Sequence, residues 1–197
     1  MIRCENIHLS YKNKLILSDF NLEVKKGENV CLSGASGKGK SSLLNMLQGY
    51  VIPQKGKVFI DGELVSATTV KNIRKKIIYV PQNIHLPVKN GNALIELLST
   101  KSELSKTYHL LKQLGLSKDF LNQDFLKISG GQKQRIIIAI CLSLPKEILL
   151  MDEPTASLDD KAINLLIKTI YELKNKTIVS ASHNQHWAAS CNRTIKL

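Results

Sequence analysis

Apolar and polar residues alternate from Ile2 to Leu9, and polar turns follow at Lys12-Asn13-Lys14 and Lys25-Lys26-Gly27. That period of two predicts a small antiparallel sheet. A short apolar run, Val30-Cys31-Leu32, predicts a buried strand, and the leucine-rich stretch Leu43 to Leu47 predicts a helix that stops near Gly49. Next come a turn over Pro53 to Gly56, a strand at Val58-Phe59-Ile60 with the hairpin signal Asp61-Gly62, and a strand at Ile77 to Val80 ended by Pro81-Gln82. From about Asn83 to Gln134 helical spacing replaces strands, with Leu104, Tyr108 and Leu111 at i, i+4 and i+7 and Gly115 as the stop. The rest alternates: a helix over Lys133 to Leu142, a strand at Glu147 to Met151, a helix over Asp160 to Leu173, a strand at Thr177 to Ala181 and a short terminal strand. The prediction is an α/β fold with a mostly parallel core sheet, an N-terminal antiparallel β subdomain and an inserted helical subdomain.

At 197 residues the chain is expected to form one domain, with core and β subdomain in 1–82 and 135–197 and the helical subdomain in 83–134. There is no secretory pattern at the N-terminus, and no apolar run approaches the roughly eighteen residues of a membrane span. A soluble intracellular protein is expected. Cys4, Cys31, Cys141 and Cys191 form no C-x-x-C pair, so buried reduced thiols are expected rather than a zinc site or a disulfide framework. The net charge of +12 comes from 28 basic against 16 acidic residues, and only Arg3, Arg74, Arg135 and Arg193 among the basic ones are arginine. With no arginine cluster and 5% aromatic residues, nucleic acid is not an expected partner. A solvated lysine surface comes first and an anionic membrane face second.

The run Gly34-Ala35-Ser36-Gly37-Lys38-Gly39-Lys40-Ser41 sits between the predicted strand and the predicted helix. It has the form G-x-x-x-x-G-K-[ST], in which glycines turn backbone N–H groups inward around phosphate oxygens. The positive end of the following helix adds to the anion site, Lys40 reaches toward the β- and γ-phosphates, and the Ser41 hydroxyl is placed to ligate Mg²⁺. A nucleoside triphosphate is the expected ligand. Kinases, GTPases, helicases and transport ATPases share this device. Ile148-Leu149-Leu150-Met151-Asp152-Glu153-Pro154 is an apolar strand ending in two carboxylates. Such a strand delivers Asp152 to the mouth of the sheet, where it can share Mg²⁺ with Ser41, and leaves Glu153 to orient and polarise a water. Ser129-Gly130-Gly131 before a helix offers either a second anion site or an ordinary helix cap.

With these motifs the chain resembles the nucleotide-binding subunit of ATP-binding-cassette (ABC) transporters over essentially its whole length. The glycine loop, extended to Ser42, matches that family's Walker A, Ser129 to Gln132 its signature and Asp152-Glu153 its Walker B pair. Gln82 matches the Q-loop, Ala156-Ser157-Leu158-Asp159 the D-loop, and His183 the switch histidine, while Tyr11 fits the aromatic that stacks on adenine. Ile128 departs from the usual leucine, Ser42 from the common threonine, and Ile140 from an arginine common in the family, but no phosphate or metal position is lost. His85 and His109 have no matching role. The resemblance implies an ATPase using ATP and Mg²⁺, in which Ser41, Gln82 and Asp152 serve the metal, Glu153 is the base and His183 contacts the γ-phosphate. Two identical or closely related cassettes would pair head to tail, each ATP held between one Walker A loop and the other chain's Ser129, Gly130, Gly131 and Gln132. It further implies separate integral membrane permease subunits, with the cassette peripheral on the cytoplasmic face of the cell membrane. The family's cell-division members offer an alternative, a cassette driving a membrane complex that does not transport.

Overall fold

In the computed structural model residues 1–11, 14–82, 87–98, 101–173 and 175–197 are described. The expected turn residues Lys12 and Asn13, His85, and the first residues of the expected helical subdomain lie outside them. The strands are β1 (Ile2–Tyr11), β2 (Lys14–Val24), β3 (Asn29–Ser33), β4 (Lys55–Ile60), β5 (Glu63–Leu64), β6 (Ile77–Val80), β7 (Ile148–Asp152), β8 (Thr177–Ala181) and β9 (Arg193–Lys196). The helices are α1 (Lys40–Leu47), α2 (Val70–Lys76), α3 (Gly91–Leu97), α4 (Leu104–Gln113), α5 (Gly130–Ser143), α6 (Asp160–Glu172) and α7 (Gln185–Ser190). One sheet has the order β2-β1-β4-β5 and is antiparallel; the other has the order β6-β7-β8-β3-β9, with β3 parallel to β8 and β9 and β7 parallel to β8. The P-loop α/β fold with its N-terminal antiparallel sheet is therefore the one expected.

The alternation in β1 is broken once. Ile2 and Cys4 are buried, and so are Ile7 and Leu9, a change of phase that a strict period of two forbids. The pairing shifts between Cys4 and Ile7, and Asn6 there adopts φ 48°, so a bulge absorbs the extra residue and returns the apolar side chains to one face. Across the sheet β4 already begins at Lys55, opposite His8, so the turn expected over Pro53 to Gly56 is shorter than that.

The chain divides into two compact units. The first contains 1–78, 146–152 and 175–197, the second 79–145 and 153–174. In the first unit α1 packs on β4, β7 and β8, burying Leu43, Leu44, Met46 and Leu47. The parallel strands there are buried throughout, as the continuous apolar runs of β7 and β8 require. In the second unit α4 packs on α5 and α6, and α3 on α5. These contacts place α5 and α6 with α3 and α4, so the units do not follow the boundary expected at 134/135. The buried stripe of α4 is Thr107, Leu110 and Leu111, continued by Leu114; Tyr108, placed on the apolar face by sequence, is 41% exposed. Cys4, Cys31 and Cys141 are buried reduced thiols, whereas Cys191 is half-buried. A hydrogen bond to Cys31, together with burial, pushes the Cys191 thiol up.

Candidate nucleotide site

The register of the parallel sheet sets the site. Asp152 of β7 pairs with Ala181 of β8, and Ala181 pairs with Leu32 of β3, so the three strands end level with one another. The chain therefore leaves β3 into the glycine loop, ends β7 in Asp152, and leaves β8 into Ser182-His183, all at the C-terminal edge of the sheet in the first unit. That edge is where ligands gather in open α/β sheets.

The loop passes from Ser33 into α1 with residues 35–38 exposed and Gly39 and Lys40 buried. Gly39 caps α1 at φ 92°, and a Cβ on it would stand 2.4 Å from Ile16 Cγ2, so only glycine fits both the backbone and the packing. Lys40 is 8% exposed, and its Nζ donates to the carbonyls of Gly34 at 2.7 Å and Ala35 at 3.2 Å. The ammonium is thus held at the loop, one residue from the exposed Ser41 hydroxyl. Ile16 lies on the strand facing Tyr11, which pairs with Lys14 at the end of the β1–β2 hairpin. The contact of Ile16 with Gly39 brings that hairpin to the loop, and Tyr11, 46% exposed, has a ring surface open to stacking.

Asp152 is 5% exposed at the end of β7, and His183 is exposed directly after the buried Ser182. Asn184, next in sequence, caps α7 by accepting from the Trp187 N–H at 2.9 Å. These donors, a hydroxyl and a carboxylate beside a glycine loop, fit a hard cation that keeps waters and phosphate oxygens as its other ligands, as Mg²⁺ does. The glycine loop, the lysine and the helix N-terminus fit a polyphosphate.

Gln82, Glu153 and Ser129 to Gln132 belong to the second unit. Gln82 is exposed just after β6. Glu153 is 6% exposed and adopts φ 49°, a left-handed conformation that costs an L-residue roughly 1–2 kcal/mol. Its carbonyl accepts from the Ala156 N–H at 3.2 Å, and Asp159, three residues further on, caps α6 by accepting from Ala162 N at 2.7 Å. Ser129 caps α5: its Oγ accepts from Gln132 N at 3.2 Å, while Gln132 Oε1 accepts from Ser129 N at 2.9 Å. The motif is thus a capping box, with Ser129 and Gly130 exposed at the positive end of a fourteen-residue helix. Gln134 is a residue that motif reasoning missed. Its one sequence signal is a polar side chain just ahead of the apolar run Ile136 to Leu142.

A phosphate loop on a parallel sheet with a strand-end aspartate defines a nucleoside-triphosphatase domain, and the relatives narrow it. The family model described as ABC transporter matches residues 17–156, and the chain belongs to that family. The chain is 34% identical over 204 residues to the energy-coupling factor transporter ATP-binding protein EcfA1 of Mycoplasmopsis synoviae (strain 53), covering 93% of this chain and 74% of that protein. It is 31% identical over 195 residues to the choline transport ATP-binding protein OpuBA of Bacillus subtilis (strain 168), covering 93% of this chain and 51% of that one, so it spans about half of that relative's length. Among solved structures, the dimeric structure of MJ0796, a bacterial ABC transporter cassette, matches with TM-score 0.84 and 31% identity, covering 100% of this chain and 94% of that one. A dimeric post-hydrolysis state of the same cassette, bound to ADP and Pi, matches with TM-score 0.83 and 31% identity over the same shares. The chain is an ABC ATPase domain.

Proposed function

We propose that the chain is the ATP-hydrolysing subunit of a membrane transporter, pairing head to tail with an identical or closely related cassette when ATP binds. The observation that carries this reading is the level ending of β3, β7 and β8, which gathers the glycine loop, Asp152 and His183 at one edge. Tyr11 stacks on the adenine; residues 34–42 surround the phosphates, with Lys40 on the β- and γ-phosphates; Ser41, Asp152 and Gln82 hold Mg²⁺. A Mg²⁺ ion held there would supply charge neutralisation at the phosphate oxygens. Glu153 accepts a proton from the attacking water as its oxygen bonds in line to the γ-phosphorus, the bond from that phosphorus to the β–γ bridging oxygen breaks with ADP as the leaving group, and His183 holds the γ-phosphate oxygens. Ser129, Gly130 and Gly131, with Gln132 fixing the cap, offer hydroxyl and N–H donors to the nucleotide of the other chain. A single cassette leaves that flank of the triphosphate in water, and closure supplies the missing donors.

No described helix is long and apolar enough to cross a membrane. Coupling to transport runs through separate permease subunits, with the cassette on the cytoplasmic face, a reading supported by relatives named as transporter ATP-binding proteins. Choline- and energy-coupling-factor-type names of relatives support transport as the task. The test is Glu153→Gln with ATP and Mg²⁺: an ATP-bound dimer that stays closed on size exclusion and is absent with ADP is expected, and wild-type turnover would overturn the reading.

A further inference from the structure

The turn that carries Glu153 is held from α5. Gln134 is 4% exposed, and its Nε2 donates to Pro154 O at 2.7 Å and to Glu153 O at 3.3 Å. Both acceptors are main-chain carbonyls at the point where Glu153 turns left-handed, φ 49°. A conformation of that kind persists only where its surroundings over-determine it. One helical turn earlier, α5 meets the same segment again: a Cβ on Gly131 would stand 2.6 Å from Ser157 O. Ser157 follows Ala156, whose N–H closes the turn onto Glu153 O. Thus α5 meets the segment 153–158 at two places, by close backbone approach at Gly131 and by a buried carboxamide at Gln134.

We propose that Gln134 is a positioning residue for ATP hydrolysis: its carboxamide fixes the main chain at Glu153 and Pro154, and so aims the Glu153 carboxylate at the attacking water. The proposal rests on the reading of Glu153 as the base. A buried amide suits this task because both N–H donors of a carboxamide point away from its carbon in one plane, so two successive carbonyls can be caught by one side chain. The same helix bears Ser129, Gly130 and Gly131 on its first turn. A shift of that turn against a partner's nucleotide is therefore passed to Glu153 of the same chain through Gln134.

The test uses the full chain with Gln134→Leu, which is apolar, branches one carbon earlier and removes the donor, and Gln134→Met, unbranched and of similar length, should the leucine variant fail to fold. Expected are a loss in kcat of about ten- to a hundredfold with KM for ATP nearly unchanged, as for a base displaced by a fraction of an ångström. In nucleotide-free protein the Ala156 amide should exchange with deuterium about tenfold faster, since the turn closed on Glu153 O loosens. In a double-mutant cycle, Gln134→Leu added to Glu153→Gln should cost little further turnover, because the group it positions is already gone. A full and independent loss on the Glu153→Gln background, or wild-type kcat and unchanged Ala156 exchange, overturns the proposal alone. Wild-type turnover by Glu153→Gln by itself overturns the base assignment and the proposal together.

Discussion

Replacing Glu153 by alanine and by glycine separates backbone strain from chemistry. Both variants lose the carboxylate, and both keep the carbonyls that accept from Gln134 and Ala156. They differ in what φ 49° costs them. Alanine pays the left-handed penalty of roughly 1–2 kcal/mol, glycine almost none. Against this, glycine enlarges the conformational freedom of the unfolded chain, which takes back about 0.4–1 kcal/mol. The net is an advantage for glycine of about 0.8 kcal/mol. For a domain of this size that corresponds to a melting temperature about 2–3 °C higher for Glu153→Gly than for Glu153→Ala. Calorimetric or circular-dichroism melts of nucleotide-free protein at one scan rate measure it. At an ordinary helix or strand position the sign reverses, glycine falling about 0.5–1 kcal/mol below alanine. A glycine variant that melts at or below the alanine variant therefore refutes the strain argument. Turnover should fall in both by something on the order of 10² to 10⁴, the share of a general base.

Lys40→Ala removes the cation held by Gly34 and Ala35, and is expected to abolish ATP binding in a titration and turnover with it. Ser129→Arg puts bulk and charge at the exposed start of α5 while leaving the glycine loop intact, so ATP binding by the single chain should survive and ATP-driven dimerisation, read by size exclusion, should fail. Burial pushes the Cys4 thiol up to about 12 from its ordinary 9.0. Above pH 9 the unfolded chain then binds fewer protons at Cys4 than the folded one, so stability falls as pH rises from 9 toward 12. Urea midpoints measured against pH should fall less steeply in that window for Cys4→Ala.

The family was legible because its motifs need fixed residue types at fixed spacing, as in Gly39-Lys40-Ser41 and Asp152-Glu153. Strands β7 and β8 were legible to within a residue, since continuous apolar runs between polar turns leave few alternatives. Helices α2 and α7 were not. Each buries a single large side chain, Ile73 and Trp187, so neither has a periodic stripe to detect. The face of α4 was misread at Tyr108 because Leu110 and Leu111, one turn apart from Thr107 and Leu114, define the stripe, and the threonine among them looks polar in sequence. The bulge at Asn6 could have been found: buried positions 2 and 4 followed by 7 and 9 require one extra residue. The partners of Gln134 could not, because a polar side chain ahead of an apolar run does not reveal hydrogen bonds to main-chain carbonyls nineteen and twenty residues away.

Glycine or asparagine is what folding alone favours at a left-handed position, and glutamate stands at 153. The strain of roughly 1–2 kcal/mol is therefore the cost of presenting a carboxylate from that point of the turn. The two hydrogen bonds from Gln134 each contribute a net of about 0.5–1.5 kcal/mol, so together they are of the same size as the strain. Gln134 therefore carries a share of the turn's support comparable to the whole strain, beside the Ala156 N–H that closes the turn onto Glu153 O. Remove the carboxamide and Glu153 can relax toward ordinary backbone angles while the apolar side of α5 stays packed. The carboxylate then moves and the protein does not unfold, which is why a position this deeply buried should report in kcat before it reports in stability.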